Sequence, residues 1–319
     1  MPDFARSLIA WQRRHGRHGL PWQGTRDPYR IWLAEVMLQQ TQVAAVIPYY
    51  GRFLERFPDV SALAAAGEEE VLRLWSGLGY YARGRNLHAA AGVVAARGGF
   101  PTTPEGLAGL PGVGRSTAAA IAVFAFGRRA AILDGNVKRV LARHFGVDGE
   151  KAQWPLAESL LPARGLRAYT QALMDLGATV CTRAQPACGR CPIAARCVAR
   201  REDRIDELPG RRKRAPLPLR HATWYVVLHQ GQVLLERRPG AGLWGGLWTF
   251  PERRLPGLRN LRRLPPLEHG FTHFRLHAQP VLCSVRKQAS GQMWLEVSDA
   301  VHAAVPTPVR TVLQGLLAA

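Results

Sequence analysis

From the N-terminus to about residue 198, alanine and leucine recur at helical spacing, and the runs are broken at Pro28, Pro58, Pro101, Pro104, Pro111, Gly127 and Gly146. The pattern predicts helix after helix, with no clear strand alternation. Between Arg200 and Arg220 it gives way to charge and proline, with Pro209, Pro216 and Pro218 and the basic run Arg211, Arg212, Lys213 and Arg214. Residues 199–219 therefore read as a linker, whose basic run is either a solvated segment or one that crosses phosphates. Beyond it, period-two or short apolar runs appear. TWYVVLH at 223–229 is followed by a turn at Gln230 and Gly231, by QVLLERR, later by MWLEV, and by a final helix near 308–318. The expected organisation is a mainly α domain over 1–198 and an α+β domain over 220–319. No internal repeat is visible.

A length of 319 residues suits two domains, each large enough for its own core. Lys plus Arg number 43 against 23 Asp plus Glu, a formal charge of +20. The excess runs through both halves of the chain and calls for a polyanionic partner, most simply nucleic acid, with a membrane surface as the rival. Lys138, Lys151, Lys213 and Lys287 are the only lysines. The preference for arginine fits bidentate phosphate binding and fits a GC-rich genome equally well. The opening MPDFARSLIAWQRRHG carries Arg6 inside its apolar stretch and reads as an amphipathic helix rather than a signal peptide. The longest apolar run, Ala118 to Phe126, is too short for a bilayer. The expectation is a soluble cytoplasmic protein that is not membrane-bound.

Four of the five cysteines share one short segment, Cys181-x6-Cys188-x2-Cys191-x5-Cys197. This is no disulfide framework; four thiolates so close in sequence converge on a zinc ion or an iron-sulfur cluster, and spacing alone leaves both open. Arg183, Arg190 and Arg196 are interleaved with them, either to meet phosphates or to balance the thiolates. Cys283 lies far away and reads as a buried apolar residue.

Leu110-Pro111-Gly112-Val113-Gly114 separates a short helix opened by Thr103, Pro104 and Glu105 from a helical run over Arg115 to Phe126. In such a helix-hairpin-helix the glycines let the backbone approach a ligand, and the free N-H groups of the second helix can take a phosphate without reading sequence. Asp27-Pro28 opens another helix, which carries Glu35 on the face of Ile31, Trp32 and Leu38. A carboxyl among apolar neighbours has a raised pKa and suits proton donation; a Glu at the edge of an apolar stripe looks the same. Asp134, in Leu133-Asp134-Gly135-Asn136-Val137, precedes a helix whose dipole would keep it ionised, though capping alone also explains an Asp there.

Taken in order, EVMLQQTQV around Glu35, LPGVG at 110–114, LDGNVKRVLAR around Asp134 and the cysteine loop resemble the helix-hairpin-helix DNA glycosylase superfamily of endonuclease III. LPW at 20–22, GLGYYARGRNL at 77–87, QALMDLGATVC at 171–181 and GLWGGLWTFP at 242–251 resemble its adenine-removing branch, so the likeness covers nearly the whole chain. It implies a 4Fe-4S cluster on Cys181, Cys188, Cys191 and Cys197, within a loop over 181–197. It implies, too, a double-stranded DNA partner containing adenine opposite 8-oxoguanine or guanine, a flipped-out base, and a monomeric enzyme. By the same resemblance, Glu35 protonates the adenine, and Asp134 with Asn136 stabilises the cationic sugar. Ser116 stands where strand-cleaving relatives carry a Schiff-base lysine, which argues for a monofunctional enzyme. Trp22, Gln171 and Met174 match the adenine pocket. Gln40, Thr41, Leu78 and Tyr80 match positions that wedge around the oxidised guanine, and Leu110, Gly112 and Gly114 match the hairpin contacts to DNA. Phe271, Thr272 and His273 match the loop that checks the damaged base, with Thr272 where serine is common. The C-terminal domain resembles a Nudix fold without the acidic REUxEE signature that binds magnesium, so damage recognition is expected there and hydrolysis is not. Two other readings remain: a strand-cleaving glycosylase of the same fold, and a non-catalytic DNA-binding module held by zinc.

Overall fold

The computed structural model describes residues 2–210, 215–240, 242–288 and 292–318, and the basic run at 211–214 lies outside the described residues. The chain divides into two compact units, Met1–Ala64 with Ala89–Lys213, and Ala65–His88 with Arg214–Ala319.

In the first unit the helices are Pro2–His15 (α1), Pro28–Leu38 (α2), Val43–Arg56 (α3) and Val60–Ala65 (α4). Glu68–Trp75 (α5) and the start of Ala82–Ala96 (α6) fall in the second unit. The first unit resumes with Pro104–Ala108 (α7), Arg115–Phe126 (α8), Gly135–Phe145 (α9), Glu150–Ser159 (α10), Leu166–Thr179 (α11) and Val198–Arg201 (α12). Local chemistry sets several starts. The Asp27 carboxylate accepts from Tyr29 N at 2.9 Å and Pro28 occupies the first turn of α2; Thr103 Oγ1 accepts from Gly106 N at 3.2 Å ahead of α7. Gly127 and Gly146 end α8 and α9 in the left-handed conformation that glycine adopts without a Cβ penalty.

α2 is apolar nearly all round and is buried accordingly, from Tyr29 through Trp32 and Leu33 to Met37. It packs on α8, whose buried run Ala118–Val123 is mostly alanine and admits a close neighbour. Phe4, Leu8 and Trp11 of α1 join Val137, Val140 and Leu141 of α9 and Tyr169, Leu173 and Leu176 of α11 in one core. Each such leucine, fully withdrawn from water, stabilises the fold by about 2 kcal/mol. Gly177 lets α11 meet α9: a Cβ there would stand 2.5 Å from that of Asn136.

The second unit is built on a seven-stranded sheet. Leu219–His229 (β1) turns at Gln230 and Gly231, both at positive φ, into Gln232–Arg237 (β2), as the alternation predicts. Trp248–Thr249 (β3), Arg259–Arg263 (β4), Leu267–Gly270 (β5), Arg275–Ser284 (β6) and Met293–Glu296 (β7) complete it in the order β3-β2-β1-β6-β4, with β5 on β6 and β7 on β2. β1 and β6 run parallel from Leu219 opposite Arg275 to Leu228 opposite Ser284. The helices Val297–Ala300 (α13) and Thr307–Leu317 (α14) close the chain. The 65–88 segment is tied in by hydrogen bonds: Trp248 Nε1 donates to Glu69 at 2.7 Å, Arg85 to Gly245 O at 2.5 Å, and Arg310 to Ser76 Oγ at 2.9 Å. No helix among the described residues is long and apolar enough to cross a membrane.

Candidate active site and cysteine loop

The loop between α1 and α2, the buried face of α2 and the middle of α11 enclose a cavity of about 410 Å³, a size that suits one planar base. Glu35 lines it with Ile31 and Leu38 of α2, Trp22 of the loop, and Gln171 and Met174 of α11. The residues that the family resemblance associates with a base pocket thus line one cavity with the candidate acid. Trp22 is steadied edge-on against Tyr50 at 5.4 Å, and Gln23 braces the loop by accepting from Leu20 N and donating to Arg17 O.

Glu35 is partly buried and lines the cavity. Burial first, and then the charge of Asp134, push its pKa up to about 8. At neutral pH the carboxyl is therefore protonated. Asp134 caps α9, its Oδ1 accepting from Asn136 N and Val137 N at 2.8 Å each. Its own pKa is raised, because burial outweighs these two amides and the charges of Arg139 and Lys138. The helix start alone does not set the direction, contrary to the sequence-based expectation. The two environments still differ: two amide donors and two cations offset part of the burial at Asp134, whereas at Glu35 burial and the Asp134 charge both act to hold the proton. Asn136 supplies its backbone amide to Asp134, and its side-chain Oδ1 accepts from Arg139 at 2.8 Å. Ser116, near the start of α8, accepts from Leu133 N at 2.9 Å. Among the described residues lining the cavity there is no lysine.

At the hairpin Gly112 has φ of 73° and is exposed, as is Gly114, the N-cap of α8. Leu110 is only 3% exposed, so its side chain is core, and its backbone is tied into the hairpin, its N-H donating to Leu107 O and its carbonyl accepting from Val113 N at 3.1 Å each. Gln40 is exposed at φ of 57°, Thr41 donates to Gln39 O, and Gln39 donates to Thr117 Oγ1 at 3.2 Å, binding the end of α2 to α8.

Cys181, Cys188, Cys191 and Cys197 line one small cavity together with Arg143, Val180, Pro186 and Ile205, and none forms a disulfide. Two short 3-10 turns, Cys188–Arg190 and Ala194–Arg196, fold the loop back on itself. Burial pushes the Cys191 thiol up to about 11, and the other three thiols add to that shift, so four thiolates would repel one another unless a positively charged group lay between them. The donor set fits such a group. Two arginines of α9, which sequence reasoning missed, hold the loop. Arg139 donates to Cys181 O at 2.7 Å and Gly177 O at 2.6 Å; buried Arg143 donates to Thr182 O, Arg183 O and Leu208 O. Their four-residue spacing on the helix after Asp134 was the available signal. Arg183, Arg190 and Arg196 are exposed, the last 3.4 Å from Asp3.

Within the second unit, Phe271, Thr272 and His273 form the turn between β5 and β6, closed by Phe271 N donating to Phe274 O. Thr272 and His273 are exposed, while Phe271 stacks on buried Phe274 at 4.4 Å. Leu78 is 6% exposed, its side chain packed. Tyr80 is 44% exposed, at φ of 47°, with the Arg83 guanidinium 5.2 Å from its ring.

Residues 33–161 match the family of HhH-GPD superfamily base excision DNA repair proteins, and 223–315 match the NUDIX domain family. The chain is 31% identical over 335 residues to the adenine DNA glycosylase of Buchnera aphidicola subsp. Baizongia pistaciae, covering 97% of this chain and 95% of that one. It is 33% identical over 402 residues to the Homo sapiens adenine DNA glycosylase, covering 98% and 73%. The structure of a thermostable thymine-DNA glycosylase superposes with a TM-score of 0.58 at 30% identity, covering 62% of this chain and 95% of that one. With a helical hairpin unit, a protonated acid in a base-sized cavity and near full-length likeness to these relatives, the chain belongs to the adenine DNA glycosylases, base-excision repair enzymes that act on DNA.

Proposed function

We propose that this glycosylase hydrolyses the N-glycosidic bond of adenine opposite 8-oxoguanine or guanine in duplex DNA, acting as a monomer in the cytoplasm at the nucleoid, and leaves the strand uncut. The observation that carries the reading is Glu35, protonated at neutral pH on the wall of a cavity that fits one base. The nucleotide must leave the stack to reach it. Glu35 donates its proton to a ring nitrogen of adenine, which makes the base a neutral leaving group as the C-N bond breaks. The Asp134 carboxylate, held by the amides of Asn136 and Val137, stabilises the positive charge that develops on the sugar. Water then adds to the sugar carbon, and the Glu35 carboxylate takes the proton it releases. Trp22, Gln171 and Met174 hold the base in the cavity.

The monofunctional mode is supported by the hydroxyl of Ser116, engaged with Leu133 N, and by the lack of a lysine among the described lining residues. Gly112 and Gly114 offer N-H groups to a phosphate, with Leu110 holding the hairpin by donating its own N-H to Leu107 O, and Gln40, Thr41 and Tyr80 meet the opposite strand. Phe271, Thr272 and His273 read the oxidised base, in a Nudix-like unit whose sequence lacks the acidic magnesium signature. The four thiols, which share one cavity, would ligate the 4Fe-4S cluster that the family resemblance implies, and the cluster would stiffen the loop through its iron-sulfur bonds. Every catalytic proton is carried elsewhere.

The test is a duplex carrying adenine opposite 8-oxoguanine, analysed on gels with and without alkali. Cleavage only after alkali is expected. Cleavage without alkali would reveal a lyase, and no abasic product would remove the substrate assignment.

A further inference from the structure

Asp175 of α11 is fully buried, and its carboxylate is held by three donors. Oδ1 accepts from Arg17 Nε at 2.6 Å and from Gln171 Nε2 at 2.9 Å, and Oδ2 accepts from Arg17 N at 3.0 Å. A carboxylate paired with an arginine accepts and does not donate. The Gln171 amide can therefore meet it only through its NH2 end, since the carbonyl would face another negative oxygen. Gln171 lines the base cavity, and no donor of the protein reaches its Oε1 among the described residues. The oxygen is left for whatever base enters.

We propose that Asp175 is a positioning residue that sets base specificity: by fixing the Gln171 amide with Oε1 toward the cavity, it makes the pocket accept a 6-amino purine and reject a 6-oxo purine. Adenine presents an amino donor at position 6, where guanine and hypoxanthine present a carbonyl acceptor. An acceptor on the wall pairs with the first and opposes the second. The inference rests on the adenine pocket proposed above, with Arg17 fixing the carboxylate and Gln171 reading the base.

The experiment measures binding, so it does not depend on turnover. The full-length protein is titrated with duplexes containing a non-hydrolysable 2′-fluoro nucleotide of adenine or of hypoxanthine, each opposite the same 8-oxoguanine. Wild type should prefer the adenine duplex by about tenfold or more. Asp175→Asn, whose amide can pair with either end of Gln171, should bring the ratio near one, in part by tighter hypoxanthine binding that a damaged fold would not produce. Gln171→Leu keeps the Arg17-Asp175 pair and should erase the same preference, which covers the case of an unfolded Asn variant. Equal wild-type affinity for the two duplexes, or a preference unchanged in a folded Asp175→Asn, would overturn the proposal. Normal discrimination in binding with no adenine release would instead count against the catalytic reading of Glu35.

Discussion

Glu35→Gln removes one ionisation and almost no volume, and the structure sets what that does to both activity and stability. With a pKa pushed up to about 8, Glu35 is roughly nine-tenths protonated at pH 7, so most wild-type molecules are ready to donate. Glutamine keeps the shape but has no acidic proton. Loss of general-acid assistance alone costs about 100- to 10,000-fold in the rate of base release, with duplex affinity retained. Stability should move the other way. The folded-state pKa lies above that of an exposed glutamate, so proton binding favours the folded state most below pH 4.5, and that contribution is lost as pH rises through about 8. The amide carries no such dependence. At pH 7 the variant should unfold at higher denaturant, by up to about 3 kcal/mol, with the gap closing near pH 4.5 and widest above pH 8. Single-turnover release from an 8-oxoguanine:adenine duplex, together with urea unfolding of both proteins from pH 5 to 9, measures the two effects. The wild-type rate should fall as pH passes about 8. A variant that releases adenine at near-normal rate, or a stability gap flat across pH, would refute both the acid role and the burial argument behind it.

Ser116→Lys should introduce an amine beside the reacting sugar, giving strand cleavage without alkali and an adduct trapped by borohydride; a variant with neither would count against the site geometry. Arg143→Met should leave the carbonyls of Thr182, Arg183 and Leu208 without their donor, lowering stability by about 3 kcal/mol and reducing the iron bound per chain, read by thermal melting and metal analysis. Gly112→Val forces a branched side chain into φ of 73°, at a cost of about 1–2 kcal/mol; duplex binding should weaken at all sequences alike, while release at saturating enzyme stays near wild type.

Much of this molecule was legible along the chain. Helical spacing, Thr103 before α7, Gly127 and Gly146 after α8 and α9, and the Gln230-Gly231 turn are encoded within a few residues, because caps and turns act over one turn of backbone. The cysteine spacing and the glycines of the hairpin were readable for the same reason. Short-range pattern could not supply the environments. The Asp134 pKa is raised because tertiary burial outweighs its local amides, and Leu78 and Leu110, which the family resemblance gives as DNA contacts, are 6% and 3% exposed. Asp175, Arg139 and Arg143 look like ordinary helix residues until distant chain brings Arg17, Gly177 and Leu208 to them. The grouping of 65–88 with the sheet unit and the parallel pairing of β1 with β6 join segments separated by many residues. Periodicity records which face of an element is apolar, and the fold alone decides what that face meets, how dry the place is, and therefore which carboxyl keeps its proton.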